Sequence, residues 1–411
     1  MQATKKPHNY HKTVGWQKDD RIRKSPLKFY VYYYSELSGD CQVSIFTELW
    51  RLSVAFCVTL WHMSIAGRGK RGYTNPDVRA APAGRLRGAD RDNQRGKLSM
   101  DFFSATTFGF MAPKGFTKNP ESLDSLRRMF AGTGSDTLLL PVAALQDHAY
   151  STKIDWTTDD VMSEEDVRAC VAVARELGKK VILKAMVNCR DGYWRAYINF
   201  FDTYVPCEPQ WEDWFRSYTD FNVYLARIAQ DVGAELYCAG CEMVGTDRKA
   251  DLWRGLIAEV RKVYSGLVTY NCDKYQEHNV TWWDCLDVIS SSGYYPINDL
   301  DNQFARIHDV AEKFQKPFLF MECGCPCRQG SEFIPNDWAH GGDLDIDVQT
   351  RWYRAFLDAL DKNPWIQGVG WWDWSANLYP ADKAMENSGY GVYAKPAEKL
   401  LLDWNRKHGR A

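Results

Sequence analysis

The chain has 411 residues, of which 45% are hydrophobic, enough to fill the core of one large α/β domain and leave an extension. Its formal net charge of -2 argues against a nucleic-acid-binding protein. The 12 cysteines are few for this length, and several lie within apolar segments, which favours free thiols over a disulfide scaffold. Residues 1–28 are polar and basic, so we expect no signal peptide and a cytoplasmic location.

Residues 1–99 differ in charge from the rest of the chain, with 18 Lys and Arg against 8 Asp and Glu, whereas residues 100–411 carry 33 against 45. An uncharged apolar run over residues 52–67 is shorter than the roughly 20 residues that a membrane-spanning helix needs. Residues 68–97 are rich in Gly, Arg and Pro, a composition typical of disordered linkers. We therefore predict a basic low-complexity extension or linker over residues 1–99, no membrane contact, and one folded domain over residues 100–411.

After Met100, segments typical of strands and of helices alternate. The strands are predicted over residues 105–110, 136–142, 181–186, 236–241, 267–271, 288–293, 318–322 and 368–372. The helices are predicted over residues 122–131, 163–177, 211–232, 249–263, 280–286, 300–314, 348–363 and 396–407. In the second helix, Ser163 and Asp166 have capping-box spacing, and Gly178 follows its end. Eight such repeats predict an α/β fold, the (β/α)8 TIM barrel.

Two glutamates stand at equivalent places in this pattern, because Glu242 and Glu322 each follow an apolar strand-like run and precede a Gly- and Cys-containing loop. Barrel enzymes place their catalytic groups at the carboxyl ends of the strands. The fourth and seventh strands face each other across a closed barrel, so both carboxylates are expected in one cleft. Such a pair predicts a glycosidase, and a separation of about 5 to 5.5 Å is typical of the retaining mechanism.

Aromatic and polar residues are also concentrated where strand-end loops are predicted, and 14 of the 17 tryptophans follow Met100. Aromatic rings pack against the apolar faces of sugars, while polar groups bind their hydroxyls. Of the adjacent Trp371 and Trp372, only one is expected to face the cleft, since neighbouring side chains of a strand point to opposite sides. The predicted substrate-binding residues are Lys184, Asn188, Trp194, Arg195, Asn271, Tyr294, Tyr295, Trp371, Trp372 and Asp373. Asp273, after the fifth strand, is a further polar candidate.

The cysteines offer a competing interpretation, because a C-x-x-C pair (Cys238, Cys241) and a C-x-C-x-C run (Cys323, Cys325, Cys327) lie beside the two glutamates. Thiolates in such numbers are typical of zinc sites. However, the first pair is predicted to lie on a strand, where its side chains do not converge, and the chain has only eight histidines. We therefore prefer a pocket lined by thiols, without a metal or another cofactor.

From Phe108 onward, the chain resembles glycoside hydrolase family 113, the β-mannanase family of a large clan of retaining (β/α)8 glycosidases. The matching stretches are VILKAMVNCRDGYWRAYI, WFRSYTDFNVYLARIAQ, YCAGCEMVGTDRKADLWRGLIAEVRKVYSGLVTYNCD, WWDCLDVISSSGYYPI, KPFLFMECGCPCRQGS and PWIQGVGWWDWS. They cover nearly all of residues 100–411, and nothing in residues 1–99 matches. The resemblance implies a hydrolase that cleaves β-1,4-linked mannosides, in mannan or manno-oligosaccharides, by double displacement.

Transferred residue by residue, the resemblance implies that Glu242 is the general acid/base and Glu322 the nucleophile. It implies that Tyr294 is the tyrosine near the nucleophile, and that Trp371 or Trp372 forms the floor of the sugar subsite. Lys184, Trp194 and Arg195 fall in a region on the substrate side.

Three departures from the family pattern bear on specificity, and one of them is Cys323, Gly324 and Cys325 after the nucleophile, where the family has a hydrophobic residue, Gly and Tyr. Cys241 occupies the position before the acid/base glutamate where the family has Thr, and Ser292 replaces an acidic residue two positions before the tyrosine. These changes leave two alternatives open, a hydrolase of another β-glycoside (xylo-, gluco- or related) and a catalytically weakened carbohydrate-binding barrel. Endo and exo action both stay open at this point, as does the oligomeric state.

Overall fold

The computed structural model describes residues 100–411; the predicted extension over residues 1–99, including the apolar run over residues 52–67, lies outside the described residues. Eight parallel strands close into a barrel in chain order, with β8 pairing to β1. They are β1 Phe103–Phe108, β2 Thr137–Gln146, β3 Lys180–Cys189, β4 Leu236–Cys241, β5 Leu267–Cys272, β6 Ile289–Ser292, β7 Phe318–Cys323 and β8 Ile366–Trp374. The predicted (β/α)8 barrel is confirmed, and each predicted strand overlaps an observed one.

Seven α-helices within residues 100–411 surround the strands: α1 Pro120–Thr133, α2 Glu164–Glu176, α3 Trp211–Asp231, α4 Ala250–Arg261, α5 Leu300–Phe314, α6 Ile346–Lys362 and α7 Pro396–Lys407. Between β5 and β6, where a helix is predicted over residues 280–286, the chain forms only the 3₁₀ turn Trp283–Cys285. The reason is steric, because the buried side chains of Trp282 and Trp283 fill the space between the barrel and the helices where this helix would lie. Trp282 stacks on Trp253 of α4, with ring centroids 4.7 Å apart. No helix in residues 100–411 is long and apolar enough to span a membrane.

The start of α2 shows how local sequence fixes an element. The Ser163 hydroxyl accepts a hydrogen bond from the Asp166 backbone N–H at 3.3 Å, and the Asp166 carboxylate accepts one from the Ser163 N–H at 3.1 Å. These bonds satisfy donors that the first turn of a helix leaves free. Gly178 follows the helix with φ of 67°, which suits glycine. The predicted capping box and stop are therefore confirmed.

The barrel interior changes from apolar to polar along the strands. Its amino-terminal part is filled by side chains such as Leu139, Ile182, Leu236 and Leu319. A second, larger core lies between the strands and the helices. Buried polar side chains follow towards the carboxyl ends of the strands, among them Lys184, Thr269, Asn271, Ser290, Ser292 and Glu322. Because buried polar groups need partners, they form a hydrogen-bonded cluster at this end of the barrel.

Candidate active site

Glu242 lies directly after β4, in a backbone conformation that few non-glycine residues adopt, with φ of 52°. Its backbone N–H donates to the Asn271 carbonyl oxygen at 2.7 Å. The next residue, Met243, donates its N–H to the Tyr270 hydroxyl at 3.0 Å. The hydrogen bonds from the N–H groups of Glu242 and Met243 hold this left-handed conformation. Unusual backbone geometry of this kind often marks a functional site.

Glu322 faces the barrel interior because of an irregularity in its strand. On β7, Leu319 and Met321 belong to the interior cluster, so regular alternation would turn Glu322 towards the helices. The β6–β7 register shifts between Ser291 and Ser292, and the β7–β8 register shifts before Cys323. Such shifts re-aim side chains at strand ends, and here the carboxylate is directed into the cluster with Lys184.

The two carboxylates meet at the barrel mouth. One oxygen from Glu242, one from Glu322 and the Cys241 sulfur all lie within 4.8 Å of one another, and all three residues are buried. A short separation between carboxyl groups suits direct attack by one of them, whereas the inverting mechanism needs about 6.5 to 9.5 Å for a water molecule between them.

Lys184 is the principal counter-charge of Glu322. It is fully buried, its Nζ contacts Glu322 Oε1, and it also donates to Asn271 Oδ1 at 2.8 Å. Burial alone would raise the pKa of the Glu322 carboxyl, but the charges of Lys184 and Arg195 outweigh it and hold the pKa below its ordinary value. Burial likewise acts to lower the pKa of Lys184, yet the negative charge of Glu322 and its hydrogen bond to Lys184 leave that pKa raised. Glu322 is therefore ionised at neutral pH and Lys184 is protonated.

Glu242 is held by a different set of donors. Arg195 donates to its Oε2 at 3.1 Å, Trp194 Nε1 to the same oxygen at 3.4 Å, and Ser292 to its Oε1 at 2.7 Å. Arg195 also donates to Asn188 Oδ1 at 3.0 Å and to the Cys241 carbonyl oxygen at 2.9 Å. The guanidinium thus fixes the orientation of the carboxylate from one side while Ser292 fixes it from the other.

A continuous chain of hydrogen bonds joins the two carboxylates. Glu322 accepts from Lys184, Lys184 donates to Asn271, Asn271 Nδ2 donates to the Ser292 hydroxyl at 3.0 Å, and Ser292 donates to Glu242. The Lys184 ammonium donates in both directions, to Glu322 and to Asn271, and each later bond donates towards Glu242. This arrangement gives Ser292, which departs from the family pattern, a defined place in the site.

Two further donors contact the nucleophile candidate. The Tyr294 hydroxyl donates to Glu322 Oε2 at 3.0 Å, and the Cys241 thiol donates to Glu322 Oε1 at 3.3 Å. Burial raises the pKa of the Cys241 thiol well above its ordinary value, which keeps the proton on sulfur. Cys241 therefore acts here as a hydrogen-bond donor.

Trp372 is the tryptophan of the adjacent pair that joins the cleft. It packs with Tyr294, Tyr390 and Phe110, and its ring centroid lies 6.0 Å from that of Trp338. The next residue, Asp373, lies at the same strand end, where burial raises its pKa to about 6 although Lys395 opposes the shift. An aromatic surface thus lies beside the Glu322 side of the carboxylate pair.

Two predicted substrate-binding residues do not join the cluster. Trp371 points towards the helices, where its ring lies 5.2 Å from Tyr353 and also packs against Phe356. Tyr295 donates its hydroxyl to Glu277 at 2.5 Å and packs against Phe320 in the same outer layer. The remaining predicted residues, Lys184, Asn188, Trp194, Arg195, Asn271, Tyr294, Trp372 and Asp373, lie in or beside the site.

Cys241, Glu242 and Glu322 form the one group of His, Cys, Asp and Glu side chains in residues 100–411 that is compact enough to hold a metal ion. Lys184 and Arg195 already pair with one oxygen of Glu322 and one of Glu242, respectively, and the raised pKa of the Cys241 thiol disfavours the thiolate that a metal binds. The other cysteines that suggested zinc, namely Cys238, Cys323, Cys325 and Cys327, do not enter this group. The donor set therefore suits acid–base and nucleophilic chemistry.

Some residues of the site were missed by sequence reasoning. Tyr390 lies in the loop after β8, far from any motif, and its ring centroid is 6.0 Å from that of Tyr294. Ser292 and Cys241 were recognised only as departures from a pattern. Asp273 follows β5, where burial and the charge of Glu242 raise its pKa to about 7. Asp273 was not missed, because its position after the predicted fifth strand marked it as a polar candidate, whereas nothing local marked Tyr390.

Comparisons with known proteins found a matching family and similar solved structures. The model of Glycoside Hydrolase Family 113 matches residues 106–395. A solved structure of a GH113 β-1,4-mannanase in a complex has 46% sequence identity and a TM-score of 0.74, and the match covers 75% of this chain and 99% of that chain. The GH113 β-mannanase AaManA from Alicyclobacillus acidocaldarius, solved in complex with ManMIm, has 38% identity and a TM-score of 0.72, covering 76% and 99%. A comparison with curated protein sequences found no match.

Proposed function

The chain belongs to glycoside hydrolase family 113, and we propose that it hydrolyses β-1,4-linked mannosides by double displacement, with retention of configuration at the anomeric carbon. The observation that carries this proposal is the facing pair Glu242 and Glu322, with oxygens within 4.8 Å of each other at the carboxyl ends of β4 and β7. The sugar is inferred from relatives at 46% and 38% identity that are described as β-mannanases.

Glu322 is the nucleophile in this proposal. Its carboxylate is ionised because Lys184 and Arg195 lower its pKa, and Tyr294 holds its Oε2 at 3.0 Å. An ionised, oriented oxygen attacks the anomeric carbon, and the bond from that carbon to the leaving oxygen breaks. The product of this step is a glycosyl ester on Glu322.

Glu242 is the general acid and then the general base. It protonates the leaving oxygen during the first step, so that the departing sugar leaves as an alcohol. In the second step its carboxylate takes a proton from water, whose oxygen attacks the anomeric carbon and releases Glu322. Ser292 and Arg195 keep the carboxylate in place through both steps. Two inversions at one carbon give net retention.

The hydrogen bonds that Cys241 and Ser292 make favour an enzyme over a catalytically weakened binding barrel. Cys241 and Ser292 both donate to catalytic carboxylates, at 3.3 and 2.7 Å, so neither substitution leaves a carboxylate without support. A protein that only binds sugars does not need an ionised carboxylate at Glu322 that faces a second glutamate, Glu242.

The proposal is tested with the full chain on a panel of manno-, xylo-, gluco- and chito-oligosaccharides, with Glu322→Gln as the inactive control. We expect cleavage of β-1,4-manno-oligosaccharides by the native chain and none by the variant. Cleavage of another sugar alone would retain the mechanism and reject the mannoside substrate. Sugar binding without any cleavage would favour the binding barrel instead.

A further inference from the structure

The β3–α3 loop carries a row of exposed aromatic side chains along its sequence, and of these only Trp194 contacts a carboxylate of the proposed reaction. Five of them, Tyr193, Trp194, Tyr197, Phe201 and Tyr204, are between 39% and 76% exposed. Clustered exposed rings of this kind mark binding surfaces, since water disfavours their apolar faces. We propose that this loop is the binding platform for the leaving-group side of the substrate chain, a proposal that rests on the proposed function.

The row starts at the acid/base group. Trp194 Nε1 lies 3.4 Å from Glu242 Oε2, and the Trp194 and Tyr197 rings are 6.0 Å apart and nearly perpendicular. The general acid must contact the oxygen that leaves, so the ring beside Glu242 lies on the leaving-group side of the cleaved bond. The opposite side, next to Glu322, is lined by Tyr294 and the floor ring Trp372.

The last two members of the row, Phe201 and Tyr204, line a cavity of about 380 Å³, which is within the range of small-ligand sites. Phe201 and Tyr204 form its exposed apolar wall, while Asp202, Gln210 and Lys249 supply polar groups. The cavity lies between the starts of α3 and α4, on the carboxyl-end face of the barrel that also carries the glutamates. Rings for the sugar faces and polar groups for the hydroxyls suit a sugar residue of a longer chain.

The platform is fixed to the barrel. Ile198 and Phe200 point inward and are buried. At Gly245, in the β4–α4 loop, a Cβ would collide with the Ile198 carbonyl oxygen and lie 3.1 Å from that of Ala196, so the two loops pack backbone against backbone. Arg248 ties them further, through Asn199 and Asp202. The backbone of the loop over residues 196–202 is therefore anchored before substrate binds, which limits the entropy lost on binding.

The test measures chain-length preference with manno-oligosaccharides of two to six units, each labelled with ¹⁸O at the reducing end, and locates the cleaved bond by mass spectrometry. The variant is the double substitution F201A/Y204A. Its aromatic counterpart, F201Y/Y204F, keeps both rings. Leu177→Ala, which removes an exposed apolar side chain just past the end of α2 at the opposite end of the barrel, is the control for surface truncation.

We expect kcat/KM of F201A/Y204A on the six-unit chain to fall about tenfold, the loss expected for two ring contacts. Hydrolysis of the shortest cleaved chain should stay at the native level, and the cleaved bond should move towards the reducing end because the distal contact is lost. F201Y/Y204F and Leu177→Ala should behave as the native chain does.

Unchanged hydrolysis of the six-unit chain by F201A/Y204A would overturn the platform and leave the proposed function standing. An equal loss on short and long chains would also overturn it, since that result indicates a structural role of the loop. If the native chain cleaves no manno-oligosaccharide of any length, the proposed function fails and the platform fails with it.

Discussion

The pairing of Lys184 with Glu322 makes a specific prediction for Lys184→Met. The native pair is fully enclosed, and Lys184 is also bonded to Asn271. Methionine keeps the length of the side chain but removes its charge, which leaves Glu322 buried without its nearest cation. Removing one partner of a buried ion pair costs about 3–5 kcal/mol of unfolding free energy. We expect a loss of that size at pH 7.

The pH dependence of this loss has a definite sign. In the native chain the pKa of Glu322 is depressed, so the pair stabilises the fold above the ordinary glutamate pKa of about 4.3 and loses that effect as pH falls through the lower folded value. In Lys184→Met, burial raises the pKa of Glu322 instead, and the folded variant binds a proton that the unfolded chain lacks. The deficit of the variant is therefore largest at pH 7 and narrows towards pH 5.

Two assays test this prediction, urea unfolding at pH 7 and pH 5 and the pH dependence of kcat/KM. In Lys184→Met the acid limb of kcat/KM should move to higher pH, because protonated Glu322 cannot attack. Lys180→Met is the matched control, since Lys180 lies on the same strand in a partly exposed pair with Asp136 at 3.5 Å and should cost at most about 1 kcal/mol. If Lys184→Met is as stable as this control and keeps the native acid limb, the account of the ion pair is refuted.

Three further predictions concern other groups around the carboxylates. Tyr294→Phe removes a 3.0 Å bond to ionised Glu322 and should lower kcat/KM by about 10- to 100-fold, as steady-state kinetics on the confirmed substrate would measure; an unchanged rate would contradict it. Cys241 is buried with a raised pKa, so peptide mapping after iodoacetamide treatment should find the exposed Cys207 alkylated well before it, and the reverse order would refute its thiol state. Burial and the charge of Glu242 raise the pKa of Asp273 to about 7, so its ionisation destabilises the fold as pH rises from about 4 to about 7. The fall in melting temperature over that range should be smaller in Asp273→Asn, and an equal fall in both proteins would count against it.

The strands were predictable because each is a short apolar run between turn-forming residues, and the two glutamates followed from their places at strand ends. The predicted bounds of β4 and α5 match the structure. In contrast, the helix predicted over residues 280–286 is wrong, because two adjacent buried tryptophans fill that space in three dimensions. The helix propensity of a segment does not include its packing against neighbouring helices, and here that packing decides the conformation.

The details of the site depended on geometry that a single sequence does not encode. Strand alternation alone directs Glu322 outward, and the register shifts beside β6 and β8 reverse this. Alternation also required one of Trp371 and Trp372 to face the cleft but did not say which one. Ser292 looked like a defect until the structure placed it between Asn271 and Glu242. Long-range register and side-chain networks were therefore the parts that sequence could not supply.

The identity of the nucleophile is the central claim, and trapping it tests that claim most directly. The full chain would be incubated with 2-deoxy-2-fluoro-β-mannosyl fluoride, whose fluorine slows the second step more than the first, and then digested for peptide mass spectrometry. We predict one fluoromannosyl adduct on the peptide that contains Glu322. The adduct should also form in Glu242→Ala, because fluoride leaves without a general acid. An adduct on Glu242 instead, or no adduct together with an inverted product from a natural substrate, would contradict the account.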